Sequence, residues 1–278
     1  MGVVQPAAIV EPLAPATLTD MLDGGWRLLH RRPGTLLALS AMFLVPSAIV
    51  AGLGAAATDA DVGSTLGLQT FGGETSFPVA GLLATVASTA LRSLGVMYLG
   101  VALTFVVLGT TSGQRVGAGD AARAALRRSG AVLGSWPLLA LTSVVAYVAC
   151  VLPLGVWLTF TAVVAPAIAT EGIGPIAAIG RSFSLVSRRF WVALGVVLLS
   201  SLVAYVLGLI FATIPELLAS LLPWGAQWAL TTVTTALAAT LITGPLVISS
   251  TLLYLDLRVR TEGLDLRQRA SVAFARAG

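Results

Sequence analysis

Long uncharged runs in the sequence constrain the fold more than any motif does. The run from Phe190 to Pro215 contains no charged residue. A helix of that length can cross the hydrocarbon core of a bilayer, which is roughly 30 Å thick and needs about 20 apolar residues. Only 10% of the chain is charged and 57% is hydrophobic, whereas an average soluble domain is about 25% charged. We therefore expect an all-α integral membrane protein.

Six such runs predict six transmembrane helices, at residues 35–57, 80–109, 130–152, 154–170, 190–214 and 226–255. The third and fourth spans share one uncharged run, and Pro153 is expected to mark the turn between them. Pro46, Pro166 and Pro245 fall inside spans, where proline kinks or breaks a helix. The predicted membrane domain covers residues 17–256, between a disordered N-terminal tail at 1–16 and a C-terminal tail at 257–278.

A short amphipathic helix is expected before the first, third and fifth spans. In the clearest copy one apolar stripe follows the helical 3,4 spacing, and its members are Ile176, Ile179, Phe183, Val186 and Phe190. The opposite face carries Arg181, Ser184 and Arg188. The first copy opens with Thr17 and Asp20, spaced as a capping box. These helices are predicted to lie on the membrane surface.

Arginine pairs close the three amphipathic helices, at Arg31-Arg32, Arg127-Arg128 and Arg188-Arg189. The chain thus divides into three units, each an amphipathic surface helix followed by a helical hairpin. Fifteen of its sixteen arginines fall in the tails, these helices and their junctions. In the loops on the opposite side, all the charged residues are acidic. By the positive-inside rule, both termini are expected to be cytoplasmic. The absence of lysine and the heavy use of Ala, Gly and Arg favour a bacterial inner membrane protein.

The same arginines are candidate anchors for lipid headgroups or for topology, because a basic residue near an anionic leaflet contributes about 1 kcal/mol of binding. They are Arg27, Arg31, Arg32, Arg123, Arg127, Arg128, Arg181, Arg188 and Arg189. The expected partners are anionic membrane lipids. Another membrane protein or a second copy of the chain is an alternative that the sequence leaves open. Nucleic acid is not expected, because no aromatic stacking platform accompanies these charges.

Arg92 is the one charge inside a predicted span, and intramembrane charge is rare outside functional sites. Two interpretations are open: the side chain snorkels to the outer headgroups, or it pairs with Glu74 or Glu216 at a functional site. No catalytic, metal or cofactor site is predicted. His30 is the only histidine and Cys150 the only cysteine, which excludes a multi-histidine metal site.

Three separated stretches resemble a known family. They are TLTDMLDGGWRLLHRRPGTLL, VVAPAIATEGIGPIAAIGRSFSLVSRRFWVALG from Val163, and LLYLDLRVRTEGLDL from Leu252. Together they are similar to the glycerophosphoryl diester phosphodiesterase membrane-domain family, an uncharacterised multi-pass family common in actinobacteria. The resemblance implies the membrane part alone, since this chain has no room for the phosphodiesterase domain that gives the family its name.

Two functions follow from these features. The first is a non-catalytic membrane module that organises lipid or a partner protein, which the amphipathic helices and the lack of a catalytic constellation favour. The alternative is a transporter or permease-like subunit with a site near Arg92, which the proline-interrupted spans favour, since discontinuous helices often line transport sites. An enzyme is not expected, because no pair of acids or histidine lies at membrane depth.

Overall fold

The computed structural model describes residues 17–58, 79–149, 151–219, 221 and 224–262. Within these ranges the chain forms helices joined by short turns. They are α1 (Leu18–Arg31), α2 (Pro33–Thr58), α3 (Val79–Thr111), α4 (Ala118–Leu126), α5 (Ser129–Ala149), α6 (Val151–Thr161), α7 (Val164–Glu171), α8 (Pro175–Ser187), α9 (Phe190–Ala219) and α10 (Trp224–Glu262). The tail predicted at 1–16 lies outside the described residues.

Six helical stretches of the described chain are long and apolar enough to cross a membrane. They are Pro33–Gly54, Gly81–Thr111, Ser129–Val148, Pro153–Glu171, Phe190–Pro215 and Trp228–Thr261. Each overlaps one of the predicted spans. For the described residues, the prediction of an all-α chain with six helices long and apolar enough to span a membrane is therefore confirmed.

The third and fourth spans form a hairpin whose turn comes before Pro153. Helix α5 ends at Ala149 and α6 begins at Val151, and Trp157 Nε1 donates a hydrogen bond of 3.2 Å to Ser143 Oγ across the pair. Pro153 lies in the first turn of α6. Proline is tolerated there, because the first N–H groups of a helix have no acceptor within the helix. The turn expected at Pro153 is thus displaced toward the N-terminus.

The fourth span is broken into α6 and α7 at residues 162–163. Pro166 lies just after the break, and a proline ring clashes with the carbonyl four residues earlier, here that of Ala162. The break leaves the Phe160 carbonyl without its usual partner in the next turn. Ser182 of α8 is buried and donates to this carbonyl at 2.6 Å. The short helix α8 thus completes the hydrogen bonding of a discontinuous span.

We expect Ser182→Ala to lower the free energy of unfolding by about 1–2 kcal/mol, because it leaves the partly buried Phe160 carbonyl without a donor. Ser184→Ala is the matched control, since Ser184 is exposed and its hydroxyl bonds only the Arg181 carbonyl of its own helix, at 2.9 Å. Thermal unfolding in mild detergent measures both. Equal losses in the two variants would show that the Phe160 contact contributes no stability.

The buried face of α8 overlaps the predicted apolar stripe at Val186 but is shifted from it around the helix. Ala178, Ser182, Leu185 and Val186 are buried, whereas Ile176, expected in the apolar stripe, is 75% exposed. Phe183 of that stripe stacks on Phe160, with ring centroids 4.7 Å apart. The helix is rotated because Ser182 must face the break between α6 and α7. Periodicity alone carries no information about that break.

Glycines set the register of the central helices. A Cβ at Gly95 of α3 would overlap the Phe43 carbonyl of α2, and one at Gly54 of α2 would overlap Ala84 of α3. The pair α2 and α10 meets in the same way at Gly52, which faces the Thr232 side chain. Both neighbours therefore run antiparallel to α2 and lie close to it along its length.

The antiparallel order gives the bundle two ends. We call the end at which α2, α5 and α9 begin the basic end, because it carries the three arginine pairs. The opposite end, where α3 and α10 begin, is the far end. Helix α10 continues at the basic end to Glu262, past the boundary predicted at 256, and Leu257 and Val259 are buried there. Residues 263–278 lie outside the described chain.

Candidate functional site

A buried polar cluster lies at the basic end, where α7, α8 and α10 meet. Glu171 is the last residue of α7, and its side chain is 19% exposed. Its carboxylate accepts a hydrogen bond of 2.8 Å from Arg181 Nε of α8 and another of 2.8 Å from the Tyr254 hydroxyl of α10. Arg258 Nε lies 3.9 Å from the same carboxylate. We call these four residues, with Thr170, the Glu171 cluster.

The hydroxyl of Tyr254 is the centre of this cluster. It lies 2.6 Å from the Thr170 hydroxyl and accepts from Arg258 at 3.3 Å. The Arg258 guanidinium also lies 5.6 Å from the centroid of the Tyr254 ring, a distance at which a cation is attracted to the ring face. A carboxylate at a helix C-terminus is unfavourable because the helix dipole is negative there. Two arginines offset that cost for Glu171.

A second ion-pair group is centred on Asp256, two residues after Tyr254 on α10. The Asp256 side chain is only 2% exposed, and its two oxygens face different arginines. Arg260 Nε donates at 2.8 Å, and Arg189 lies 3.4 Å away at the start of α9. We call these residues the Asp256 group. With the Glu171 cluster it ties α7, α8 and α9 to the end of α10.

These contacts bring together two of the stretches that carry the family resemblance. Glu171 and Arg181 belong to the stretch from Val163, and Tyr254, Asp256 and Arg258 to the stretch from Leu252. Sequence reasoning missed this site, because Glu171 and Asp256 each fall one residue beyond a predicted span, 154–170 and 226–255. One signal was available: Asp256 and Arg260 are spaced four residues apart, as paired charges on a helix are.

The predicted arginine anchors divide into two sets. Arg181 and Arg189 are bound to carboxylates inside the bundle, as described above. Two more are partly buried, Arg32 and Arg128. The exposed set is Arg27, Arg31, Arg123, Arg127 and Arg188. The exposed set therefore presents charge outward on α1, on α4 and beside the ends of α4 and α8, all at the basic end.

The exposed arginines of α1 and α4 also contact acids of their own helices. Arg27 lies 3.2 Å from Asp23, and Arg123 lies 3.5 Å from Asp120. Exposed pairs of this kind contribute little stability, typically about 0–1 kcal/mol. At the start of α1 the predicted capping box is confirmed. The Thr17 hydroxyl donates to Asp20 at 2.6 Å and holds the pKa of that carboxyl below its usual value of 3.8.

Arg92 is exposed on α3, in the part of the helix nearer the far end. The contacts at Gly95 and Gly54 align α3 with α2, and in this alignment Arg92 lies at the same level as Pro46. None of the described carboxylates pairs with Arg92. Glu74 and the Glu216 side chain, its predicted partners, lie outside what the structure describes. The neighbouring Ser93 accepts a hydrogen bond of 2.9 Å from Trp136 Nε1 of α5.

His30 Nδ1 lies 2.8 Å from the Trp26 carbonyl of its own helix, which fixes that nitrogen as the donor. Among the described residues, no group of three or more His, Cys, Asp or Glu side chains is placed to hold a metal ion. Comparisons with protein-family models, with curated proteins and with solved structures found no match.

Proposed function

We propose that the protein is a non-catalytic module of the bacterial inner membrane that gathers anionic lipid at its basic end. The observation that carries this proposal is the exposed arginine set on three short helices at one end of the bundle. Five guanidinium groups at one membrane surface attract anionic headgroups, each by about 1 kcal/mol. In this proposal N- and C-termini are cytoplasmic, so that the arginines face the inner leaflet.

Exposed apolar side chains beside the arginines support contact with lipid. Trp191, at the start of α9, is 80% exposed and Ile176 of α8 is 75% exposed. Leu126, next to Arg127, is 47% exposed. Tryptophan and arginine together are typical of the headgroup region, where an apolar ring and a charge are both accommodated.

The proposal includes an origin in three related units. In the described chain a short helix directly precedes α2, α5 and α9, and each short helix buries one face on the bundle. The Glu171 cluster and the Asp256 group then have a structural role. They hold α8 against α7 and α10, so that its outer face and the exposed arginines keep one orientation toward the membrane.

The test is lipid retention by a variant that lacks three exposed arginines, one on or directly after each of the short helices α1, α4 and α8. We expect the combined change Arg27→Gln, Arg123→Gln and Arg188→Gln to lower the ratio of retained phosphatidylglycerol to phosphatidylethanolamine at least tenfold, since three charges contribute about 3 kcal/mol. Native mass spectrometry after extraction from vesicles of both lipids measures that ratio.

The matched control places three glutamines at arginines that pair with carboxylates of the bundle. Arg181→Gln, Arg189→Gln and Arg260→Gln remove charges that face carboxylates within the bundle. This variant is expected to lose stability while keeping its lipid ratio. An unchanged ratio in the exposed-arginine variant would refute the proposed function.

A further inference from the structure

Helix α9 is the least buried of the six membrane-length stretches. Among its described side chains in the stretch Phe190–Pro215, only Ala193 and Val196, near the basic end, and Pro215, near the far end, are buried. Aliphatic side chains on such a face need no protein partner, because lipid chains are as apolar as they are. A hydroxyl group on the same face does need one, since hydrocarbon offers no hydrogen bonds.

Two hydroxyl groups lie on the exposed face of α9, at Ser201 and Tyr205. Both residues are exposed, Tyr205 by 65%. They are four residues apart, so one lies above the other on the same side of the helix. In the part of the chain that the structure describes, neither hydroxyl has a hydrogen-bond partner. By contrast, Thr142 of α5 and Thr159 of α6 each donate to the carbonyl four residues earlier, at 2.6 and 2.8 Å.

Tyr205 lies near the middle of its span. It follows Phe190 by 15 residues and precedes Pro215 by 10, or about 22 Å and 15 Å along the helix. The centre of a hydrocarbon core roughly 30 Å thick falls between these two ends. Helical side chains lean toward the N-terminus of their helix, which for α9 is the more distant end. The Tyr205 hydroxyl therefore does not reach the headgroups on either side.

Tyr147 of α5 shows the usual setting of an exposed tyrosine in a membrane protein. It is 68% exposed, as open as Tyr205. It lies two residues before Ala149, where α5 ends at the far end of the bundle. Tyrosine is enriched at that level, because its hydroxyl meets headgroups and water. Tyr205 is at the wrong depth for this, so its hydroxyl requires a partner from another polypeptide.

The face around Tyr205 is complementary to itself. Two copies inserted in the same orientation meet as parallel helices, and in a twofold pair equal residue numbers lie at the same level. A helical side chain covers the turn on the N-terminal side of its own Cα. The Tyr205 hydroxyl of one copy therefore lies level with Ser201 of the other. Ser201 and the neighbouring Ala204 are small, which lets two helix backbones approach closely.

We propose that the protein forms a parallel dimer through α9, in which the Tyr205 hydroxyl of each copy donates a hydrogen bond to the Ser201 hydroxyl of the other. Each copy supplies one donor and one acceptor, so both hydroxyl pairs are satisfied at membrane depth. The interface does not involve the exposed arginine set. It places the basic ends of the two copies side by side at one membrane surface.

Cysteine crosslinking in native membranes tests the face. In a Cys150→Ser background, Leu198→Cys introduces a thiol at a position that is 54% exposed and three residues before Ser201. Oxidation with copper phenanthroline is expected to give a product with the mass of two chains. Leu141→Cys on α5, at a position 66% exposed, is the matched control and should stay monomeric. Equal yields at the two positions, no product at Leu198 or a product of another mass would overturn the proposal.

The hydroxyl pair is tested by Tyr205→Phe, which keeps the ring. We expect the dissociation constant of the dimer to rise about tenfold, because two interhelical hydrogen bonds are lost and each changes the equilibrium about threefold. Single-molecule photobleaching of labelled protein in vesicles, over a range of protein-to-lipid ratios, measures that constant. Tyr147→Phe is the matched control and should leave it unchanged.

A double-mutant cycle tests whether the two hydroxyls contact each other. Ser201→Ala should weaken the dimer as much as Tyr205→Phe, and the double variant should be no weaker than either, because all three remove the same bonds. Additive losses, or unchanged association in Tyr205→Phe, would contradict the proposed pairing. The triple glutamine variant of the basic end should dimerise normally, so failure of the lipid proposal and failure of the dimer are distinguishable.

Discussion

Asp256→Ala is expected to destabilise the fold by about 2 kcal/mol. The substitution removes a carboxylate that is 2% exposed and leaves Arg189 and Arg260 facing an apolar gap. Removing one partner of a fully buried ion pair costs roughly 3–5 kcal/mol. The expected loss is smaller here because the two arginine side chains are 31% and 34% exposed and regain water. Thermal unfolding of the purified protein in mild detergent measures the loss.

The matched control is Asp23→Ala, which also removes an aspartate from an arginine. The Arg27–Asp23 pair is exposed, with side-chain exposures of 57% and 66%. Its loss should change the free energy of unfolding by less than about 1 kcal/mol. Equal effects of the two substitutions would mean that the Asp256 group does not hold α9 to α10.

Gly95→Ala is expected to destabilise the fold by about 1–2 kcal/mol. The added Cβ would overlap the Phe43 carbonyl of α2, and a helix backbone, unlike a flexible side chain, moves only if the whole helix moves. Overpacking of this kind typically costs about 1–3 kcal/mol. The gain in helix propensity from glycine to alanine, about 1 kcal/mol, offsets only part of the strain. Unfolding in detergent and the yield of monodisperse protein both report the effect.

Gly208→Ala is the control that tests whether the loss of stability in Gly95→Ala comes from the position of Gly95 or from any glycine-to-alanine change in a helix. Gly208 lies on α9, and a Cβ there would meet no atom within 4 Å. We expect stability to be unchanged or raised by up to about 1 kcal/mol. If Gly95→Ala behaved like Gly208→Ala, the close approach of α2 and α3 described here would be incorrect.

The sequence was sufficient to predict the spans, because uncharged runs of bilayer length have few alternative structures. The short helices before α2, α5 and α9 were also predictable, since they combine amphipathic spacing with arginine pairs. The capping box at Thr17 and Asp20 is a local motif, and the structure contains it. These features depend on residues close together in the chain.

The Glu171 cluster depends on residues far apart in the chain and was not predicted. Tyr254 and Glu171 are separated by 83 positions, and no local pattern indicates that they touch. The rotation of α8 was missed for the same reason, because it follows from the Phe160 carbonyl on another helix. Arg92 was recognised as unusual, and the two carboxylates predicted to pair with it lie outside what the structure describes.

Helix α3 is exposed near its start and buried near Thr104, and this difference affects how the protein tolerates sequence change. Near Gly100 and Thr104 every side chain meets a neighbour, so a change in volume must be matched by a change on α7 or α10. Near Leu82 and Val86 the side chains are exposed, and the fluid hydrocarbon of a bilayer would adapt to a new shape there. Substitutions near Gly100 and Thr104 should therefore accumulate slowly and together with changes on neighbouring helices. Substitutions near Leu82 and Val86 should accumulate quickly and independently.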